Sequence, residues 1–425
     1  MTSFTESASG RITTQILDNG MAVLVQPMPW LRTAAFTLSL RAGVEDEPLE
    51  KSGLASMVCE MVQRGAGHHS SRDLVAAQDN LGMDRNSGAS TATVSFGAAM
   101  PAESFDQALR LYADIVRRPH LPADQLGDAR LMMMQELRAI EDEPTQRVMR
   151  RVRELHYGPR LGRGNQGTMD SLAALSSLDV QEFYRDHYHA GGSILTVAGR
   201  VDAKAVIEQI GEAFGDWKSN AVEAPPEPEG VATYEHLPAD SSQTHIAFAF
   251  PNIPYGHPDY FAMRAGIGIL SDGMSSRLFD RVREKRGLCY TVSASCHSLK
   301  NAGGVFGYAG TTPQRAQETL DVTLQEIQNL ADDLEQSELD RWKVRIESSL
   351  IMEQESSSSR AGSLASDYFQ LGRAMPTEEL SRIIESLTLE QVRDYWRTHR
   401  PGQYRIVTLG PQPLTVPMET SATSR

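Results

Sequence analysis

Two stretches of this chain repeat each other at a fixed distance, and that repeat constrains the fold more than any other feature. LSSLDVQEFYRDHYHAGGSILTVAG and SLTLEQVRDYWRTHRPGQYRIVTLG each read as a capped helix leading into a buried strand. The expected caps Ser177 and Thr388 are 211 residues apart, and so are the strand ends Gly199 and Gly410. Self-similarity over that distance calls for two related domains, and 425 residues is long for a single core.

The elements before each repeat follow the same order. In the first half, ITTQIL and MAVLVQ flank Asp18-Asn19-Gly20 as a hairpin, and Ala34 to Arg41 alternates as a third strand. Helices are expected over Gly53–Gln63 and Arg72–Leu81, and a strand with one polar face over Ser90–Ala98. A helical region from Phe105 breaks near Pro119 and Pro122 and resumes over Ala123–Ile140. In the second half, strands are expected at His245–Phe250, Tyr290–His297, Gly304–Gly310 and Tyr404–Gly410. Helices are expected at Tyr260–Leu270, Met274–Lys285, Pro313–Leu330, Glu338–Glu353 and Thr388–Arg397. Strands and helices mix without strict alternation, so the class is α+β. Lys218–Gly230, proline-rich and acidic, reads as a linker, which divides the chain into domains over 1–217 and 231–410. Residues 411–425 have no periodicity and read as a mobile tail.

Composition removes several classes of function. A formal charge of −14 opposes binding to nucleic acid or to an anionic membrane, and no run of 18 apolar residues occurs. The N-terminus has neither a basic start nor an apolar stretch, so the cytoplasm is the default compartment; the periplasm is the alternative if a leader has been removed. Cys59, Cys289 and Cys296 fit no disulfide framework and read as reduced, buried thiols. His187-Tyr188-His189 has metal-like spacing, but residues two apart on a helix end point to different sides. Gly162 to Gly167 matches G-x-G-x-x-G in letters only, because it follows a helix rather than a strand.

The stretch with the most chemical content is Gly273 to Ala294, GMSSRLFDRVREKRGLCYTVSA. Met274, Leu278 and Val282 recur at helical spacing, while Arg277, Arg281, Arg283, Lys285 and Arg286 occupy the other faces. Gly287 is a stop signal, and Tyr290, Val292 and Ala294 alternate as a strand. Arg283 and Tyr290 therefore flank a tight helix-to-strand corner. A guanidinium beside a phenol suits a peptide carbonyl or carboxylate, since both groups donate hydrogen bonds. A basic helix face held by acidic neighbours is the plainer reading of the same run.

SSRLF, REKRGLCY and TVSA resemble the carboxy-terminal half of the pitrilysin-like (insulinase) peptidases with the inverted zinc motif, and the resemblance extends over nearly the whole chain. It implies two homologous α/β-sandwich-type domains forming half of a clamshell. It also implies that Arg283 and Tyr290, seven residues apart, contact the substrate backbone. Members of the family hold peptide in extended form along a sheet edge. Here that edge resembles Asn86 to Val94, giving Asn86, Ser90, Thr91 and Ala92 as substrate-binding residues.

The family's zinc motif, H-x-x-E-H inside a run such as G-[LI]-A-H-F-L-E-H-M, is replaced here by Gly53-Leu54-Ala55-Ser56-Met57-Val58-Cys59-Glu60-Met61. Ser56 and Glu60 stand where the histidines would be, and Cys59 stands where the base would be. Only the third ligand position survives, as Glu136, 76 residues beyond Glu60. A serine hydroxyl is a poor zinc ligand and no base remains, so no cofactor is expected in this chain.

The resemblance then implies a division of labour. This chain is expected to be inactive alone and to serve as the non-catalytic, substrate-binding subunit of a heterodimeric zinc metalloendopeptidase. Its partner would be a homologous subunit that holds the zinc, and its ligand an unstructured peptide; a homodimer is the alternative pairing in isolation. The competing expectation is a catalytically inactive structural subunit in the core of a larger complex.

Overall fold

The computed structural model describes residues 11–220 and 233–416, so most of the expected linker and residues 417–425 of the tail lie outside it. The chain packs as two units. The first draws on Met1–Leu137, Gly164–Pro225 and Ser349–Thr377, the second on Arg138–Arg163, Pro226–Ser348 and Glu378–Arg425.

The strands are β1 (Thr13–Ile16), β2 (Ala22–Pro27), β3 (Thr33–Leu40), β4 (Asp84–Ala89), β5 (Val94–Pro101), β6 (Ile194–Gly199), β7 (Tyr234–Pro238), β8 (Thr244–Asn252), β9 (Thr291–Ser298), β10 (Gly303–Thr311) and β11 (Arg405–Gly410). The helices of the first half are α1 (Leu54–Met61), α2 (Ser71–Asn80), α3 (Phe105–Arg117), α4 (Leu126–Glu141), α5 (Pro144–Leu161), α6 (Met169–Ala174), α7 (Ser177–His187) and α8 (Ala203–Phe214). Those of the second half are α9 (Tyr260–Ser271), α10 (Ala316–Gln328), α11 (Gln336–Glu353), α12 (Ser357–Leu371), α13 (Thr377–Ser386) and α14 (Leu389–Thr398), with a π-helical turn at Leu278–Glu284.

The first unit holds a six-stranded sheet in the order β1-β2-β6-β3-β5-β4, and the second a five-stranded sheet in the order β7-β11-β8-β10-β9. Apart from β1, the two orders are the same topology, with β2, β6, β3, β5 and β4 matching β7, β11, β8, β10 and β9. In each sheet the first of these pairs is parallel and the rest are antiparallel. The duplication read from the repeat is therefore carried by the whole sheet, and the fold is α+β.

The central strands of each sheet are buried on both faces. In the first unit one face meets α1, α3, α7 and α8 around Phe36, Phe96 and Tyr112. The other meets α12, whose Ala361 packs with Met28, Ala35 and Ala198. Small residues let α12 approach closely enough for Thr196 Oγ1 to donate to Ala361 O at 2.7 Å. In the second unit, α5 covers the matching face with Val148, Val152, Leu155 and Leu161 against Ala247, Ala249, Val407 and Leu409. The linear division into 1–217 and 231–410 follows chain order, whereas by packing each unit takes one helix from the other repeat.

Several expectations shift at this level. The first repeat's helix is capped by Ser176 rather than Ser177, through a box with Asp179; Thr388 makes the matching box with Gln391. The helix offset is thus 212, which aligns buried Val180 with Val392 and Phe183 with Tyr395. Residues 90–93 are not strand but the turn joining β4 to β5, with Ser90 Oγ accepting from Thr93 N at 3.2 Å. Met274 lies outside any helix and is 79% exposed. The first residues of the expected mobile tail are held in place: Leu414 N donates to Tyr234 Oη at 2.9 Å, and Thr415 exchanges two hydrogen bonds with Gln317. No helix among the described residues is long and apolar enough to cross a membrane.

Candidate functional site

The corner that carries Arg283 and Tyr290 is fixed from several directions. Leu278 and Val282 anchor the π-helical turn in the second core, where the i to i+5 pattern shows in Lys285 N donating to Asp280 O at 2.8 Å. Gly287 follows in the left-handed region at φ +58°, as a helix stop requires. Its carbonyl accepts from Arg315, and the next carbonyl, Leu288 O, accepts from Thr319 Oγ1 at 3.1 Å and from Thr311 Oγ1. Tyr290 N then donates to Gly310 O at 2.9 Å. The backbone under Tyr290 is thus pinned, while its side chain is 59% exposed.

The basic residues of the run separate into two groups. Arg277 is buried and donates bidentately to Glu338 at 2.8 and 2.6 Å, with a further bond to Asp333. Arg281 pairs with Glu326 at 2.8 Å and Asp333 at 3.0 Å, and Lys285 pairs with Asp280 at 2.6 Å. For these three the plainer reading, a helix face held by acidic neighbours, is the correct one. Arg283 differs: its nearest carboxylate oxygen is Glu284 Oε1 at 3.8 Å, and its guanidinium lies over the Phe279 ring, 4.6 Å from the centroid. Among the described residues neither its donors nor the Tyr290 hydroxyl is hydrogen-bonded. The neighbouring Cys289 is buried, which pushes its thiol up to about 11 against the opposing pull of Arg283.

The zinc-motif positions lie on α1 and have been put to other use. Glu60 accepts from Arg64 Nε at 3.0 Å and Nη2 at 2.9 Å, so a guanidinium already occupies the carboxylate that a metal would need. Burial raises the Cys59 thiol to about 12, keeping it protonated against a lesser opposing effect from Ser87. Glu136 is exposed on α4. These residues do not fit zinc, and among the described residues no group of three or more His, Cys, Asp or Glu side chains is placed to hold a metal ion.

Asn86 lies on β4, which pairs with β5 on one side and, among the described residues, has no strand on the other. Its side chain lies across its register partner Gly97, where an added Cβ would stand 2.6 Å from Asn86 Oδ1. Ser90, Thr91 and Ala92 belong to the turn, whose carbonyls Ser90 O and Thr91 O accept from Val44 N at 3.0 Å and Glu45 N at 2.8 Å. The exposed edge is therefore Asp84 to Gly88, and the turn is fastened to the loop after β3.

Sequence reasoning missed Arg64 and Phe279. Both stand four residues from the group they engage, the spacing at which helical side chains meet, so that signal was present.

Residues 22–164 match the model of the insulinase family, peptidase family M16, and residues 174–345 match that of the peptidase M16 inactive domain. The chain belongs to the insulinase family. An uncharacterised zinc protease of Rickettsia felis is 25% identical over 383 residues, covering 88% of this chain and 92% of its own length. The crystal structure of a peptidase M16 inactive domain from Pseudomonas fluorescens matches with a TM-score of 0.85 at 24% identity, over 96% of this chain and 100% of that one. A chain of Complex III2 from Candida albicans matches with a TM-score of 0.80 at 16% identity, over 94% and 96%. The two structural matches speak for the fold alone. The chain is an M16-type subunit whose zinc-motif histidines and glutamate are replaced.

Proposed function

We propose that this chain is the non-catalytic, substrate-binding subunit of a heterodimeric zinc metalloendopeptidase, in which Arg283 and Tyr290 orient a peptide at the zinc of a homologous partner. The observation that carries this reading is the contrast within one short stretch, Arg277 to Tyr290. Arg277, Arg281 and Lys285 are spent on carboxylates, whereas Arg283 and Tyr290 keep their donors for something outside the described chain. A charge-assisted donor that fixes a peptide carbonyl where a partner's metal polarises it accelerates hydrolysis without any metal of its own. The open edge of β4, with Asn86 on it and the Ser90-Thr91-Ala92 turn at its end, offers backbone groups to an extended peptide. The Glu60–Arg64 pair supports assigning the metal to the partner.

The test is reconstitution. Each chain alone and the mixture with a homologous H-x-x-E-H chain from the same genome are assayed on an internally quenched, unstructured peptide. The mixture is expected to cleave at least tenfold faster than the sum of the separate chains. Equal rates would instead favour a structural subunit, the reading to which the likeness to a chain of Complex III2 lends a fold precedent.

A further inference from the structure

Phe279 shares the π-helical turn with Arg283 but has no place in the core of its unit. Leu278 and Val282, on the same turn, are fully buried in that core; Phe279 is half-buried and stands outside the cluster. What its ring does contact is the Arg283 guanidinium, 4.6 Å from the centroid.

The choice of an aromatic partner matters because of which part of the guanidinium it engages. A carboxylate partner takes N–H donors in the guanidinium plane, as Glu338 does from Arg277 at 2.8 and 2.6 Å. A ring attracts the cation through its π face and accepts none of the in-plane donors. Held this way, Arg283 loses rotamer freedom yet keeps its N–H groups for an acceptor lying in their plane. We infer that Phe279 is a positioning residue for Arg283, holding the guanidinium over its ring without engaging it in a carboxylate hydrogen bond, so that its donors stay directed at a peptide carbonyl or carboxylate. This inference rests on the reading of Arg283 as a peptide contact.

The reconstituted pair tests it, with the quenched peptide as probe and three substitutions, Phe279→Leu, Phe279→Trp and Arg283→Ala, made singly and with Phe279→Leu and Arg283→Ala combined. From the strength of exposed cation–π contacts, Phe279→Leu is expected to lower kcat/KM by about two- to fivefold and Phe279→Trp to restore it. In the Arg283→Ala background, Phe279→Leu is expected to change nothing further. The Arg283 side-chain N–H resonance of the full chain gives a readout without turnover: the ring current should displace it, and Phe279→Leu should return it to the ordinary position. An equal loss in both backgrounds overturns the inference, as does an undisplaced resonance. If Arg283→Ala lowers turnover but Phe279→Leu does not, this inference alone falls. If Arg283→Ala leaves turnover unchanged, the parent reading falls and takes this one with it.

Discussion

At the scale of single residues, what decides a side chain's role is which of its polar atoms are already taken. Glu60 puts a carboxylate where the family's motif has a zinc-binding histidine, but Arg64 has claimed it. Arg283 stands in a run of cations and keeps its donors open, held over an aromatic ring, while Arg277, Arg281 and Lys285 are paired with carboxylates. Two histidines of the second unit, His156 buried and His297 partly buried, show the same logic with protons. His156 and His297 are both lowered to about 4, mainly by burial, with Arg405 acting on the first and Arg153 and His156 on the second. His297 Nδ1 also lies 3.0 Å from Tyr157 Oη, which can donate to it only while that nitrogen is unprotonated. In the unfolded chain both histidines would protonate near 6.5, so the unfolded state gains protons first as the pH falls. Stability is therefore complete above about 6.5 and declines toward 4, by roughly 2–4 kcal/mol for the coupled pair. Urea titrations between pH 7.5 and 4.5 should show this slope, and His297→Gln, which does not titrate, should flatten it. A midpoint independent of pH in the parent protein would contradict the assignment.

At the scale of elements, much was readable in the sequence and the failures have identifiable causes. The Asn19-Gly20 hairpin, the strands with clear alternation and the capped helices of the repeats follow local rules, and Gly287 ends its helical turn as glycine at a stop should. Helices α5 and α12 were not read at all. The first is dense in arginine, so its apolar Val148, Val152 and Leu155 are a thin stripe; the second begins with three serines behind a serine cap, which resemble a loop. Both are stabilised by the sheet face they cover rather than by their own propensity. The replaced zinc ligands were fully legible, because a missing histidine needs no coordinates to detect. The separation of Arg283 from its paired neighbours was not, because Glu326, Asp333 and Glu338 are distant in sequence. The dependence of the first sheet on α12 leads to a prediction. A fragment of residues 1–220 leaves Met28, Ala35 and Ala198 uncovered and Gln26 without Arg360, which donates to it at 2.6 Å. It should bind a hydrophobic dye and lack a cooperative unfolding transition, and a cooperative melt of that fragment would show that α12 is dispensable.

At the scale of the whole molecule, one ancestral arrangement has been used twice and specialised differently. Both units keep the same five-strand order, each with a covering helix drawn from the other repeat. The first repeat carries the disabled zinc positions, and the second carries the pinned corner with its unspent arginine and tyrosine. On the proposed function the chain contributes binding and leaves the chemistry to a companion, so removing its two donors should cost turnover and nothing else. The most direct measurement is kcat/KM of the reconstituted pair with the Arg283→Ala, Tyr290→Phe double variant, alongside its zinc content. The account predicts a loss of tenfold or more with zinc per pair unchanged, and unaltered turnover by the double variant would contradict it.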